Sequence, residues 1–184
     1  MTKSRKQSRR GAPSGATSGR GSGATSELSH VDAAGRVHMV DVGAKADTAR
    51  EAVARGSISM SRSALTLIES GRVAKGDPLQ AARVAGILAA KRTPELIPLC
   101  HPLPLSHINV DLHRQPGGYL IEARVRTTAK TGVEMEALVA VAVAALTIYD
   151  MVNAVDREMV IGEIVLVEKR GGRSGHYVRR VRKR

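Results

Sequence analysis

Residues 133–154 contain neither Gly nor Pro, and Ala137 to Tyr149 within them is the longest uncharged apolar stretch of the chain. Such a run predicts a long helix that has to be buried, with the rest of the fold arranged around it. The apolar stretch is too short to cross a bilayer and is closed by Glu136 and Asp150, so a core helix is expected. At about 100° per residue, Glu136, Ala140, Val143, Thr147 and Asp150 fall on one stripe. The two carboxylates stand roughly 21 Å apart along the axis at 1.5 Å per residue. One compact site could hardly use both from a single helix. A long ligand could, and so could two subunits each lending one end. Glu134 and Glu136 also suit the positive end of the helix simply as dipole partners. Asp150 lies among Ile148, Tyr149, Met151 and Val152. Buried there, a carboxylate is either paired or pushed up in pKa, and both make it a candidate general acid/base. The plainer alternative is a surface aspartate on the polar seam.

The remaining periodicities supply the layers. His38–Val42 predicts a strand, and Ser57–Met60 a second, short one. Ser61 caps a helix that runs to about Ser70, with Gly71 as its stop. Asp77 and Pro78 start another, reaching about Arg92. It is small on one side (Ala81, Ala82, Ala85, Gly86, Ala89, Ala90), which lets a helix or a second subunit approach closely. His107–His113 and Tyr119–Arg126 alternate apolar and polar around the turn Gln115–Gly118, as a hairpin should. Val160–Glu168 predicts a last strand. The mixture indicates an α+β fold, an antiparallel sheet with helices packed on one face. So small a core of Ala and Val also predicts burial by oligomerisation.

The formal net charge of +12 lies mostly at the ends. Residues 1–27 carry six basic side chains against one acidic, and 179–184 carry five, which leaves +2 for residues 28–178. The expected organisation is therefore a disordered basic Ser/Gly-rich tail over 1–27, one domain over 28–178, and a short basic tail over 179–184. With no Trp, no Phe and three Tyr, a base-stacking platform is not expected, and nucleic acid is a poor candidate partner. A single cysteine forms no internal disulfide, and the N-terminus has no apolar signal core, which fits a reducing cytoplasm.

One segment resists assignment to any element. In Leu96-Ile-Pro-Leu-Cys-His-Pro-Leu103, Pro98 and Pro102 each lack an N–H and hold the preceding residue extended. The result is a stiff, non-helical ledge that presents Cys100 and His101. His101 could be a base, a phosphate donor or a metal ligand, while a lone histidine is more often structural. The chain lacks HxH, HExxH and CxxC spacings, so no metal site is expected. Cys100 has no histidine partner assignable from sequence, which makes it a weak nucleophile candidate. Arg50, Lys75, Arg83, Lys91, Arg92 and Lys130 lie next to glycine or small residues, compatible with a phosphorylated ligand. From residues alone, the reading ends at an α+β enzyme that binds a small anion.

Several ordered strings reach further: Met39–Val42, Lys75-Gly-Asp77, Ala82–Ile87, Ala89–Thr93, Leu96–Leu103, Lys130–Leu138 and Ala144–Met151. Together they closely resemble the cyclic pyranopterin monophosphate synthases, the molybdenum cofactor biosynthesis protein C family. The resemblance runs in order from about Leu28 to Gly175. It implies a ferredoxin-like subunit and a cytoplasmic homohexamer, a trimer of dimers with the site near a subunit interface. It implies a lyase acting on a cyclised dihydro-GTP supplied by a radical enzyme. No cofactor is implied, although magnesium can accompany the triphosphate. Carried over by motif, Asp150 is the catalytic acid/base. Leu99, Cys100, His101, Met135 and Glu136 line the substrate site, as does Glu134 in the same first turn, while Lys75 and Arg50 handle the substrate. One position departs from the family pattern. Three residues after Asp150, where the family usually has lysine, stands Asn153, which keeps a hydrogen-bond donor and loses the charge. A catalytically weak or silent relative that only binds nucleotide is the alternative this departure raises.

Overall fold

The computed structural model describes residues 35–173 and 175–180. The predicted tail over 1–27 and the last four residues of the C-terminal tail lie outside these. The elements are β1 (Thr48–Ser59), α1 (Arg62–Glu69), α2 (Pro78–Lys91), α3 (Thr93–Leu96), β2 (Leu105–Gln115), β3 (Gly118–Ala129), α4 (Glu134–Val152), β4 (Val160–Arg170) and β5 (Tyr177–Val178). They form an open sheet in the order β2-β3-β1-β4-β5, and every neighbouring pair is antiparallel. The fold is α+β, as the periodicities indicate.

Local chemistry sets most of the boundaries. The Ser61 hydroxyl accepts from the Ala64 N–H at 3.3 Å and starts α1. Gly71, at φ +65°, follows its last turn in a conformation that suits only a residue without a side chain. Asp77 Oδ1 accepts from the Leu79 and Gln80 amides at 2.8 and 3.2 Å, and Pro78 opens α2 behind that cap.

Two expectations need correction. His38–Val42 joins no sheet; it runs past the ledge, where the Val40 carbonyl accepts a hydrogen bond from His101 Nε2 at 2.8 Å. The short strand expected at Ser57–Met60 is the end of the twelve-residue β1. The first part of β1, Thr-Ala-Arg-Glu-Ala-Val-Ala-Arg, is poor in β-branched and aromatic residues. Pairing with β3 on one side and β4 on the other makes it a central strand despite that composition.

The core lies between the sheet and α4. Ala52, Ala54 and Ile58 of β1 and Ile121, Ala123 and Val125 of β3 are buried, as are Ala137, Ala140, Val141, Ala144, Ala145 and Ile148 of α4. α2 packs on α4 through its small side, and a Cβ at Gly86 would fall 2.8 Å from the Ala140 carbonyl oxygen. At Gly56 a Cβ would fall 2.6 Å from Val141 Cγ1, so glycine is what lets α4 settle onto β1. The opposite face of the sheet is polar, with Glu51 bonded to Arg124 and Arg126 and Arg55 to Glu122. By length and composition α4 could cross a membrane. Here nine of its residues are buried against protein, in keeping with a core helix.

Candidate active site

The ledge and the first turn of α4 face each other across a cavity of about 360 Å³. Leu99, Cys100 and His101 line one side, Glu134, Met135 and Glu136 another, and Val40, Val42 and Lys45 a third. α3 ends at Leu96 because Pro98 forbids helix there, so the chain reaches the cavity extended. A carbonyl only accepts, so the bond to Val40 places a proton of His101 on Nε2. The expected 38–42 strand thus has another role, orienting this imidazole.

The charges in the cavity are unequal. Glu134 is paired with Lys169 Nζ at 2.9 Å. Glu136 is 3% exposed, and burial pushes its carboxyl up to about 7; its own backbone N–H opposes the shift and the Glu134 charge adds to it. Burial, and then the Glu136 charge, push the Cys100 thiol up as well. A thiol held neutral is a poor nucleophile, so Cys100 serves better as a wall than as a reacting group.

Behind the cavity, Arg50 donates through Nε to the Ala129 carbonyl at 2.9 Å and through Nη2 to the Lys130 carbonyl at 3.0 Å. A Cβ at Gly172 would fall 2.1 Å from its Nη1, so the Gly171-Gly172 turn wraps this guanidinium. Lys130 Nζ donates to the Gly43 carbonyl at 2.7 Å. The Arg50 bonds tie β1 to the start of the turn before α4, and the Lys130 bond ties that turn to the segment before β1.

Asp150 and Lys75 lie elsewhere. Asp150 is at the far end of α4 and largely exposed, because its neighbours Ile148 and Val152 take the core-facing positions. Lys75 Nζ donates to Asp150 Oδ2 at 3.0 Å and to the Asp150 carbonyl at 2.7 Å. The buried environment considered for Asp150 is therefore absent, and the pairing is present. Asn153 caps the end of α4, its N–H donating to the Tyr149 carbonyl at 2.9 Å.

The candidate residues thus form two groups rather than one. Leu99, Cys100, His101, Glu134, Met135 and Glu136 gather at one end of α4, and Lys75, Asp150 and Asn153 at the other. Sequence reasoning does not single out Lys45, which lines the cavity, or Lys169, which pairs with Glu134 of its lining. Lys169 pairs with Ala52, a buried inward position of the sheet, where a lysine needs a partner.

Comparison with known proteins converges on one family. Residues 39–172 match the MoaC family. A cyclic pyranopterin monophosphate synthase from Roseiflexus sp. (strain RS-1) is 61% identical over 155 residues, 83% of this chain and 98% of the relative. The same-named protein of Chloroflexus aggregans is 62% identical over 160 residues, covering 86% and 97% of the two chains. That of Thermomicrobium roseum is 60% identical over 155 residues, covering 83% and 93%. The chain belongs to the MoaC family.

Proposed function

We propose that this protein is a cyclic pyranopterin monophosphate synthase of molybdenum cofactor biosynthesis. In this reading it is a phosphorus–oxygen lyase that converts (8S)-3',8-cyclo-7,8-dihydroguanosine 5'-triphosphate to cyclic pyranopterin monophosphate and diphosphate. The observation that carries the reading is identity of about 60% to synthases of that name along nearly their whole length.

The two groups on α4 come together when a second copy sets its Asp150 end against the first copy's cavity. The homohexamer, a trimer of dimers, supplies such interfaces. The exposed Val84 and Leu88 of α2 and Leu146 of α4 offer apolar surface for the contact. Asp150, exposed and hydrogen-bonded to Lys75, then takes and returns protons as the purine ring is rearranged. Lys75 fixes the carboxylate rotamer and presents an ammonium to the phosphates, while Leu99, Cys100, His101, Glu134, Met135 and Glu136 enclose the heterocycle. Arg50 acts on the substrate through the loops it braces. The protein needs no cofactor of its own here, and magnesium enters only with the triphosphate. A cytoplasmic setting, where a radical enzyme delivers the reactive intermediate, completes the reading.

Asn153 supports a second reading, a nucleotide-binding relative with little or no turnover. Diphosphate release from the cyclised GTP intermediate separates the two. Steady release by the natural protein establishes the synthase. Tight binding without release, with turnover appearing in Asn153→Lys, establishes the silent relative.

A further inference from the structure

A second cavity, of about 480 Å³, lies between α1 and the turn that follows α4. Arg62, Ser63, Thr66 and Leu67 of α1 line it, with Arg72 just beyond that helix and Val155 of the turn. It shares no residue with the cavity at the ledge. No carboxylate lines it, and among the described residues neither Arg62 nor Arg72 forms an ion pair. The acids of the elements around it are committed elsewhere. Asp156 accepts from the Ser61 and Glu158 amides at 2.6 and 2.9 Å, Glu69 holds Arg114, and Asp150 holds Lys75. Glu158 is exposed and outside the lining.

The donors that remain are guanidinium N–H groups. Arg72 donates through Nε to Ser70 Oγ at 3.0 Å, and its two Nη groups have no partner among the described residues. Thr66 spends its hydroxyl proton on the Arg62 carbonyl, while the Ser63 hydroxyl is bonded only to that of Ser61. Two cations on one cavity without a counter-charge repel each other. A phosphoryl dianion supplies that charge and matches the paired N–H groups of a guanidinium. Its binding also bears on the loop that follows α1. Of residues 71–77 only Val73 is buried, and Gly71 and Gly76 bracket Arg72 and Lys75 with φ of +65° and +98°. An anion shared by Arg62 and Arg72 therefore ties this loop to α1.

We propose that the cavity binds a phosphoryl anion between the Arg62 and Arg72 guanidiniums, and that the occupant braces the loop carrying Lys75. The site stands whether or not the chain is a synthase.

Calorimetric titration of the full chain with inorganic phosphate, diphosphate and methyl phosphate measures the affinity and separates a free anion from an ester. Potassium chloride at matched ionic strength controls for screening. Both arginines are exposed, so their substitution removes no packing. Arg62→Gln and Arg72→Gln should each weaken the tightest of the three about tenfold or more. Arg72→Lys, which keeps the charge and loses the fork, should weaken it too. Hydrogen exchange places the site: the anion should slow exchange across residues 62–76 in the natural protein and leave it unchanged in Arg62→Gln. Absence of binding, equal affinity in the natural protein and both glutamine variants, or slowing that chloride reproduces overturns the inference.

Discussion

The two ends of α4 carry carboxylates on one helical stripe in opposite surroundings. Glu136 lies in the first turn, walled in by the ledge, with a thiol for a neighbour and, among the described residues, no cation within ion-pair distance. Asp150 lies in the last turn, open to solvent and held by Lys75. Burial drives the first toward its neutral form, and a hydrogen-bonded ion pair orients the second. The difference teaches how one rigid rod can present two chemical environments. About 21 Å of helix keeps an enclosed cavity wall apart from an open, ion-paired end. The proposed function joins the two ends through a second copy of the chain.

The largest test of this contrast is at the open end. Asp150→Asn should cut diphosphate release by on the order of 10² to 10⁴-fold, the usual contribution of a positioned acid/base, while leaving thermal unfolding almost unchanged. Full activity in that variant would remove Asp150 from the chemistry. At the enclosed end the leading effect is on stability. The folded carboxyl of Glu136 lies at about 7 against an ordinary 4.5, so the folded state binds the extra proton between those values. Stability from this group is therefore intact below about pH 4.5, falls as pH rises, and is fully lost above about 7, a change of at most roughly 3 kcal/mol. Denaturant unfolding of Glu136→Gln should lack that slope and exceed the natural protein at pH 8. Parallel pH curves for the two would show that the enclosed end is not desolvated. The smallest stability effect belongs to Lys75→Met. An ion pair this exposed contributes about 0–1 kcal/mol, so its midpoint should scarcely move while turnover collapses. A large drop in stability instead would make the pair structural and erase the contrast.

Legibility in the sequence followed locality. α4, the capped α1 and α2, and the β2–β3 hairpin are written in short-range patterns of apolar spacing, caps and turns, and the structure has them within a few residues. β1 is not written that way, because its Ala-rich first half becomes a strand only through the two strands beside it. The segment at 38–42 was misread for a related reason: its alternation serves the cavity and the imidazole of His101 rather than a ladder. The separation of Glu136 from Asp150 was calculable from helix geometry alone. The partner of Asp150 was not, because Lys75 is 75 residues away in sequence and reaches it from the loop before α2. Lys169 was hidden likewise, since its inward position depends on a bulged register between β1 and β4.

The central claim, that one site is completed by two chains, is tested most directly by mixing defects. Asp150→Asn damages one end of α4, and His101→Ala damages the wall at the other. Each variant alone should be inactive. Co-expressed and randomly assembled, they should recover up to about a quarter of natural activity, because some interfaces then pair an intact Asp150 end with an intact cavity. A mixture as inactive as its parents, in assemblies proven to contain both chains, would contradict the account.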